Sequence, residues 1–150
     1  ERILSSPSPE PYYKTAPRGD FLDIFFLTTL DRVPTFLAVM EEVAERFSYP
    51  KERIGTYIQP IQQGRNVHLE FTLYFRPQDR EAAGELFSSA SAALSGAGAF
   101  FSRPYGPWAE LAYARCPDTV AALRKVKAIL DPDHVLNRGK LCFSGEEVRP

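Results

Sequence analysis

Asn66-Val67-His68-Leu69-Glu70-Phe71-Thr72-Leu73-Tyr74-Phe75 is the stretch that decides the fold. Its alternation is strict. Val67, Leu69, Phe71, Leu73 and Phe75 fall on one side of an extended chain, and His68, Glu70, Thr72 and Tyr74 fall on the other. One side therefore seeks a core, and the other is wet or covered by something polar. Upstream, Gln62-Gln63-Gly64-Arg65 reads as a turn, and Ile54 to Ile61 reads as a second strand. The short link pairs the two strands antiparallel.

Further out, Phe21-Leu22-Asp23-Ile24-Phe25-Phe26-Leu27-Thr28 is apolar and β-prone, a third strand. Between the first two strands in chain order, Val33, Phe36, Leu37, Met40, Val43, Ala44 and Phe47 recur at helical spacing, and Asp31 stands where a cap would. After the alternating strand, Asp79 is placed to start another helix, whose inner face is Ala83, Leu86, Phe87, Ala90 and Leu94. Gly96-Ala97-Gly98 ends it. Ala99 to Ser102 is expected as a short edge strand, and a short helix is expected around Trp108 to Ala114. Val120, Leu123, Val126, Lys127 and Leu130 predict a last helix from about Asp118, with Asp118 capping it. Asp131 precedes Pro132, which pushes it out of helical geometry and stops the helix. Strand, helix, strand, strand, helix, strand is the order of a ferredoxin-like, split-βαβ α+β fold, with helices on one face of an antiparallel sheet.

The chain has 150 residues, enough for one domain with a sizeable core. Its 18 basic and 19 acidic residues leave a net charge of -1, which gives no footprint for nucleic acid or an anionic membrane. The apolar runs are too short to span a bilayer. Two cysteines, Cys116 and Cys142, are too few for a disulfide framework, so reduced thiols and a cytoplasmic location are the default expectation. Residues 1–20, with Pro7, Pro9, Pro11 and Pro17, read as a linker or poorly ordered lead-in. Residues 21–115 form the expected α+β unit, and residues 116–150 the terminal helix and tail.

Three places could carry chemistry. His68 and Glu70 stand two apart on the polar side of the alternating strand, with Tyr57 and Gln59 able to join them. A carboxylate there can orient an imidazole; a plain solvated sheet face is the alternative. Ser102-Arg103-Pro104-Tyr105-Gly106-Pro107-Trp108 gathers a guanidinium, a phenol and an indole. Arg103 could bind a carboxylate or phenolate, or the loop could be a packed aromatic corner. In Asn137-Arg138-Gly139-Lys140, Gly139 permits a sharp bend or a close approach to a ligand; an ordinary loop after a helix stop is the alternative. A zinc site needs third and fourth ligands beside His68, and the only other histidine, His134, sits near the chain end, so no metal is expected.

Leu130-Asp131-Pro132-Asp133-His134-Val135-Leu136-Asn137-Arg138-Gly139-Lys140 resembles the C-terminal signature of FAD-linked oxidases of the vanillyl-alcohol oxidase / 4-cresol dehydrogenase superfamily, to which glycolate oxidase FAD subunits and D-lactate dehydrogenases belong. That pattern reads Leu-Asp-Pro, a short spacer, Leu or Ile, then Asn-Pro-Gly-Lys; Arg138 stands where the proline is usual. With Asn66 to Glu70 and Phe100 to Arg103, the resemblance covers roughly Phe21 to Phe143 and looks like the end of a substrate or cap domain.

The resemblance implies FAD as cofactor and a small-molecule substrate, either a phenolic alcohol or alkylphenol or a 2-hydroxy acid, oxidised by hydride transfer to flavin. It implies catalytic roles for His68 and Arg103, substrate contacts from Tyr57, Gln59, Glu70 and Tyr105, and cofactor contacts from Asn137, Arg138 and Lys140. Gly64, Asn66 and His68 keep only part of the metal-binding strand motif of the glycolate and lactate branch. The family's FAD-binding domain precedes the cap, and nothing like it precedes Phe21, so this chain alone is expected to be inactive and not to hold FAD firmly. A homo-oligomer is compatible with all of this. Periodicity alone equally allows a non-catalytic ferredoxin-like ligand-binding or oligomerisation module.

Overall fold

The computed structural model describes residues 19–143. Most of the expected lead-in and the end of the expected tail lie outside them. The described chain runs β1 (Asp20–Thr28), α1 (Val33–Arg46), β2 (Ile54–Ile61), β3 (Asn66–Phe75), α2 (Arg80–Gly96), α3 (Pro107–Tyr113) and α4 (Pro117–Leu130). It is an α+β fold. The alternating stretch is the central strand, and the sheet order is β1-β3-β2 with both pairs antiparallel.

The register follows from burial. Leu69, Phe71 and Leu73 of β3 and Ile24 and Phe26 of β1 turn toward the helices and are at most 1% exposed. They pack with Phe36, Met40, Val43 and Ala44 of α1 and with Leu86, Ala90 and Leu94 of α2 in one core. Each of the larger side chains contributes about 1.5–3 kcal/mol by leaving water. A one-residue slip of β3 would send His68 and Glu70 into this layer, so the register is strongly held. Pro60 is tolerated because β2 lies at the sheet edge, where a missing N–H interrupts no outer ladder.

Several boundaries differ from the sequence expectations. Asp31 and Asp79 do not cap helices through their side chains. Each lies in a single 3-10 turn that leads into its helix, and Asp79 faces Arg53 and Arg76 instead. Asp118 falls in the first turn of α4, after Cys116 and Pro117 have begun it. Phe47 is at the end of α1, 39% exposed rather than in the buried stripe.

The edge strand expected at Ala99 to Ser102 shrinks to one antiparallel bridge, Leu27 to Phe100, on the outer side of β1. The N–H groups of Gly98 and Ala99 already close the end of α2, bonding to Ser95 and Leu94 carbonyls at 2.9 and 3.0 Å. Gly98, at φ 100°, makes the reversal, and only Phe100 is left to pair.

The stripe of α4 behaves differently from those of α1 and α2. None of its residues is classed as buried, and Val126, Ile129 and Leu130 are 51%, 77% and 75% exposed. Among the described residues no helix is long and apolar enough to cross a membrane.

Candidate functional site

Two clusters emerge, one on the sheet face that carries His68 and one in a cleft between α3 and the tail. On the sheet face, the register sets Asp23 and Phe25 of β1 and Tyr57 and Gln59 of β2 beside the polar side of β3. His68 lies between two rings. Phe25 stacks on it at 5.8 Å and Tyr57 meets it edge-on at 6.2 Å. His68 Nε2 is 3.5 Å from Glu70 Oε2, with both side chains mostly covered. The Thr72 hydroxyl donates to Asp23 Oδ1 at 2.7 Å and is 3.4 Å from Glu70 Oε1. Asp23, Thr72, Glu70 and His68 thus form a continuous polar row. The aromatic walls limit the imidazole's motion, and the carboxylate lies where it can orient the ring. Tyr57 and Gln59 are exposed, at the rim.

Asp23 is the member that sequence reasoning missed; Thr72 was placed on this side of the strand but given no part in the site. The signal for Asp23 was present, a carboxylate inside an apolar strand, but its placement needs the β1–β3 register.

The cleft has a volume of about 450 Å³ and is lined by residues of two loops and of α3, including Tyr105, Glu110, Asn137, Gly139 and Lys140. Two local devices build it. The first is Trp108, which is 4% exposed and donates its indole N–H to the buried Ser91 Oγ of α2 at 2.9 Å. Its ring stacks on Phe101 at 5.1 Å and meets Phe25 edge-on at 5.0 Å. This fixes the loop that carries Tyr105, whose carbonyl accepts the Trp108 N–H at 3.0 Å. The second is Asp131, at the stop of α4. Its carboxylate accepts the Val135 and Leu136 N–H groups at 2.9 and 3.0 Å and the Lys127 ammonium. The bond from Lys127, helped by those two N–H groups and opposed by burial, holds the Asp131 carboxyl below its ordinary pKa.

Of the residues expected to act, Tyr105, Asn137 and Lys140 meet in the cleft, although more than thirty positions separate Tyr105 from Asn137. His68, Glu70, Tyr57 and Gln59 share the sheet face. Phe25 touches both His68 and Trp108, so two ring contacts run from His68 to the residue that anchors the Tyr105 loop. Arg103 is exposed and lines neither. Arg138 is turned back on its own loop, donating to the His134 carbonyl at 2.8 Å.

Residues 28–141 match the family model described as FAD linked oxidases, C-terminal domain. The chain belongs to this family. Neither a curated protein nor a solved structure matches it. Membership in the FAD-linked oxidases implies a flavin cofactor in the full protein.

The cleft fits one edge of such a group. Lys140 and Asn137 bring an ammonium and an amide, Tyr105 a phenol, and around Gly139 there is open space where a side chain would otherwise stand. These donors suit the polar rim of a flavin ring or an anionic oxygen.

Proposed function

We propose that this chain is the substrate-binding portion of an FAD-dependent oxidoreductase of the vanillyl-alcohol oxidase / 4-cresol dehydrogenase type. On this reading it oxidises a small phenolic alcohol or alkylphenol, or a 2-hydroxy acid. The observation that carries the reading is that Tyr105, Asn137 and Lys140 line one cleft, beside the loop anchor Trp108, which Phe25 joins to His68. The flavin, when bound, supplies a hydride acceptor, and the protein supplies orientation and electrostatics.

His68, steadied by Glu70 and walled by Phe25 and Tyr57, receives the proton of a substrate hydroxyl or phenol. Tyr105 hydrogen-bonds the substrate oxygen that carries negative charge, and the Arg103 guanidinium pairs with the same oxygen when substrate closes the site. Asn137 and Lys140 face the polar edge of the flavin, and Tyr57 and Gln59 line the entrance. The apolar face of α4, with Val126, Ile129 and Leu130 outward, rests on the flavin-binding domain of the same protein. That domain holds the rest of the cofactor, and the chain alone is colourless and inactive.

Kinetics of Arg103→Ala in the full-length enzyme test the assignment. A charge-assisted hydrogen bond of about 1.5–3 kcal/mol predicts a loss in kcat/KM of about tenfold to a hundredfold, with partial recovery in Arg103→Lys. Unchanged kcat/KM with a lowered melting point removes Arg103 from the site. Stoichiometric tight FAD on the purified chain overturns the division of labour between the two domains.

A further inference from the structure

Lys127 lies in the last turn of α4, a helix with no buried residue, yet its side chain is only 8% exposed. Its ammonium donates to Asp131 Oδ2 and, at 2.9 Å, to the Leu136 carbonyl, and it sits over the Phe143 ring at 5.1 Å. All three partners come from the chain beyond the helix. Asp131, itself 6% exposed, accepts the Val135 and Leu136 N–H groups with its two oxygens. One ion pair therefore ties the helix end to both sides of Leu136, and Asn137, the next residue, begins the wall of the cleft.

The backbone it ties down is unusual. His134, Asn137 and Leu141 have φ of 50°, 48° and 57° without being glycine. Three such residues within eight persist only where surrounding contacts over-determine them. Within this stretch the other hydrogen bonds are local: the His134 N–H donates to the Asp131 carbonyl at 3.0 Å, the Lys140 N–H to the Asn137 carbonyl at 3.1 Å and Arg138 to the His134 carbonyl at 2.8 Å, while just past it Arg124 donates to the Cys142 carbonyl at 3.2 and 3.1 Å. A buried pair of this kind is poor value as a source of stability alone, because desolvating both charges offsets much of their attraction. It is well suited to holding one loop shape.

We infer that Lys127 is a positioning residue: through Asp131 and the Leu136 carbonyl it holds Asn137 and Lys140 in the cleft wall against the flavin. This rests on the reading that the cleft faces the cofactor. Lys127→Met leaves Asp131 with its two backbone donors but releases the carbonyl of Leu136, so the loop loosens while the sheet core stays intact. Lys127→Arg keeps the charge and recovers part of the hold.

The test uses the full protein. FAD affinity is measured by flavin fluorescence and amide exchange by mass spectrometry, in Lys127→Met, Lys127→Arg, Asp131→Asn and Asn137→Ala. The expected result for Lys127→Met is a Kd for FAD raised about tenfold or more, the equivalent of about 1.4 kcal/mol. Exchange at Val135 and Leu136 should quicken, with β3 amides unchanged and partial rescue by Lys127→Arg. Asp131→Asn, read the same way, stands in should Lys127→Met not fold. A wild-type Kd in Lys127→Met, where Asn137→Ala weakens FAD, overturns the positioning role. Unchanged exchange at Val135 and Leu136 overturns the clasp itself. A wild-type Kd in Asn137→Ala overturns the flavin-facing reading of the cleft, a failure separate from the other two.

Discussion

Ser91→Ala removes one oxygen, and the structure sets its cost. Ser91 is 0% exposed and Trp108 4%, so the indole N–H that now donates at 2.9 Å finds no water when the hydroxyl goes. An orphaned buried donor costs about 1–3 kcal/mol. For a domain of this size that lowers Tm by roughly 3–15 °C, at a few degrees per kcal/mol. Trp108→Phe removes the donor and part of a ring that touches Phe25, Phe87 and Phe101, and costs about 2–4 kcal/mol, the usual range for shrinking a buried aromatic. The sharp expectation is in the double variant. With Phe at 108 the Ser91 hydroxyl is itself unpartnered, so adding Ser91→Ala should then be neutral or stabilising. Urea melts of the four proteins give the coupling, expected at about 1–3 kcal/mol. Strict additivity, or Ser91→Ala within about 0.5 kcal/mol of wild type, a change typical of an inert surface site, would refute the claim that this bond anchors the Tyr105 loop.

Acid should open the tail loop before the core. The Asp131 carboxyl is held below its ordinary value of 3.8, so its contribution is fully present above that value and is lost as pH falls through the lower folded one. Amide exchange at Val135 and Leu136 should rise over that window, and Asp131→Asn should abolish the dependence; an unchanged slope in that variant refutes the assignment. Gly55→Ala should destabilise by about 1–3 kcal/mol, as over-packing does, because the added Cβ would lie 3.2 Å from the Tyr74 ring and 3.3 Å from Thr72 Cβ. A wild-type melting midpoint for Gly55→Ala would show that β3 gives way there. Ile129→Glu with Leu130→Glu should leave the melting of this chain within about 0.5 kcal/mol, since both sites are exposed. The same pair should weaken association with the flavin-binding domain in a pull-down, and full retention there removes α4 from that interface.

The α+β layout was legible along the chain because its signals are local. The period-two alternation from Asn66 to Phe75 states which residues need a core, and the helical stripes of α1 and α2 state the same for the layer that covers them. The short tail motif likewise pointed to the family through a handful of neighbouring residues. What local pattern cannot state is the partner. The stripe of α4 looks like those of α1 and α2 in sequence, yet among the described residues nothing buries it, because periodicity names an apolar side and not what lies against it. The expected strand at Ala99 to Ser102 dwindled because the end of α2 takes up the N–H of Ala99, and of Gly98 before it, a competition visible only with both elements in place. Asp23 joins His68 through strand register, and Tyr105 joins Asn137 and Lys140 through two anchored loops. Lys127 was legible as part of the α4 stripe and Asp131 as its stop, but their ion pair and the return of Leu136 onto that ammonium were not. Chemistry at this site depends on side chains brought together from distant positions, and packing of the tertiary structure alone decides which of them meet.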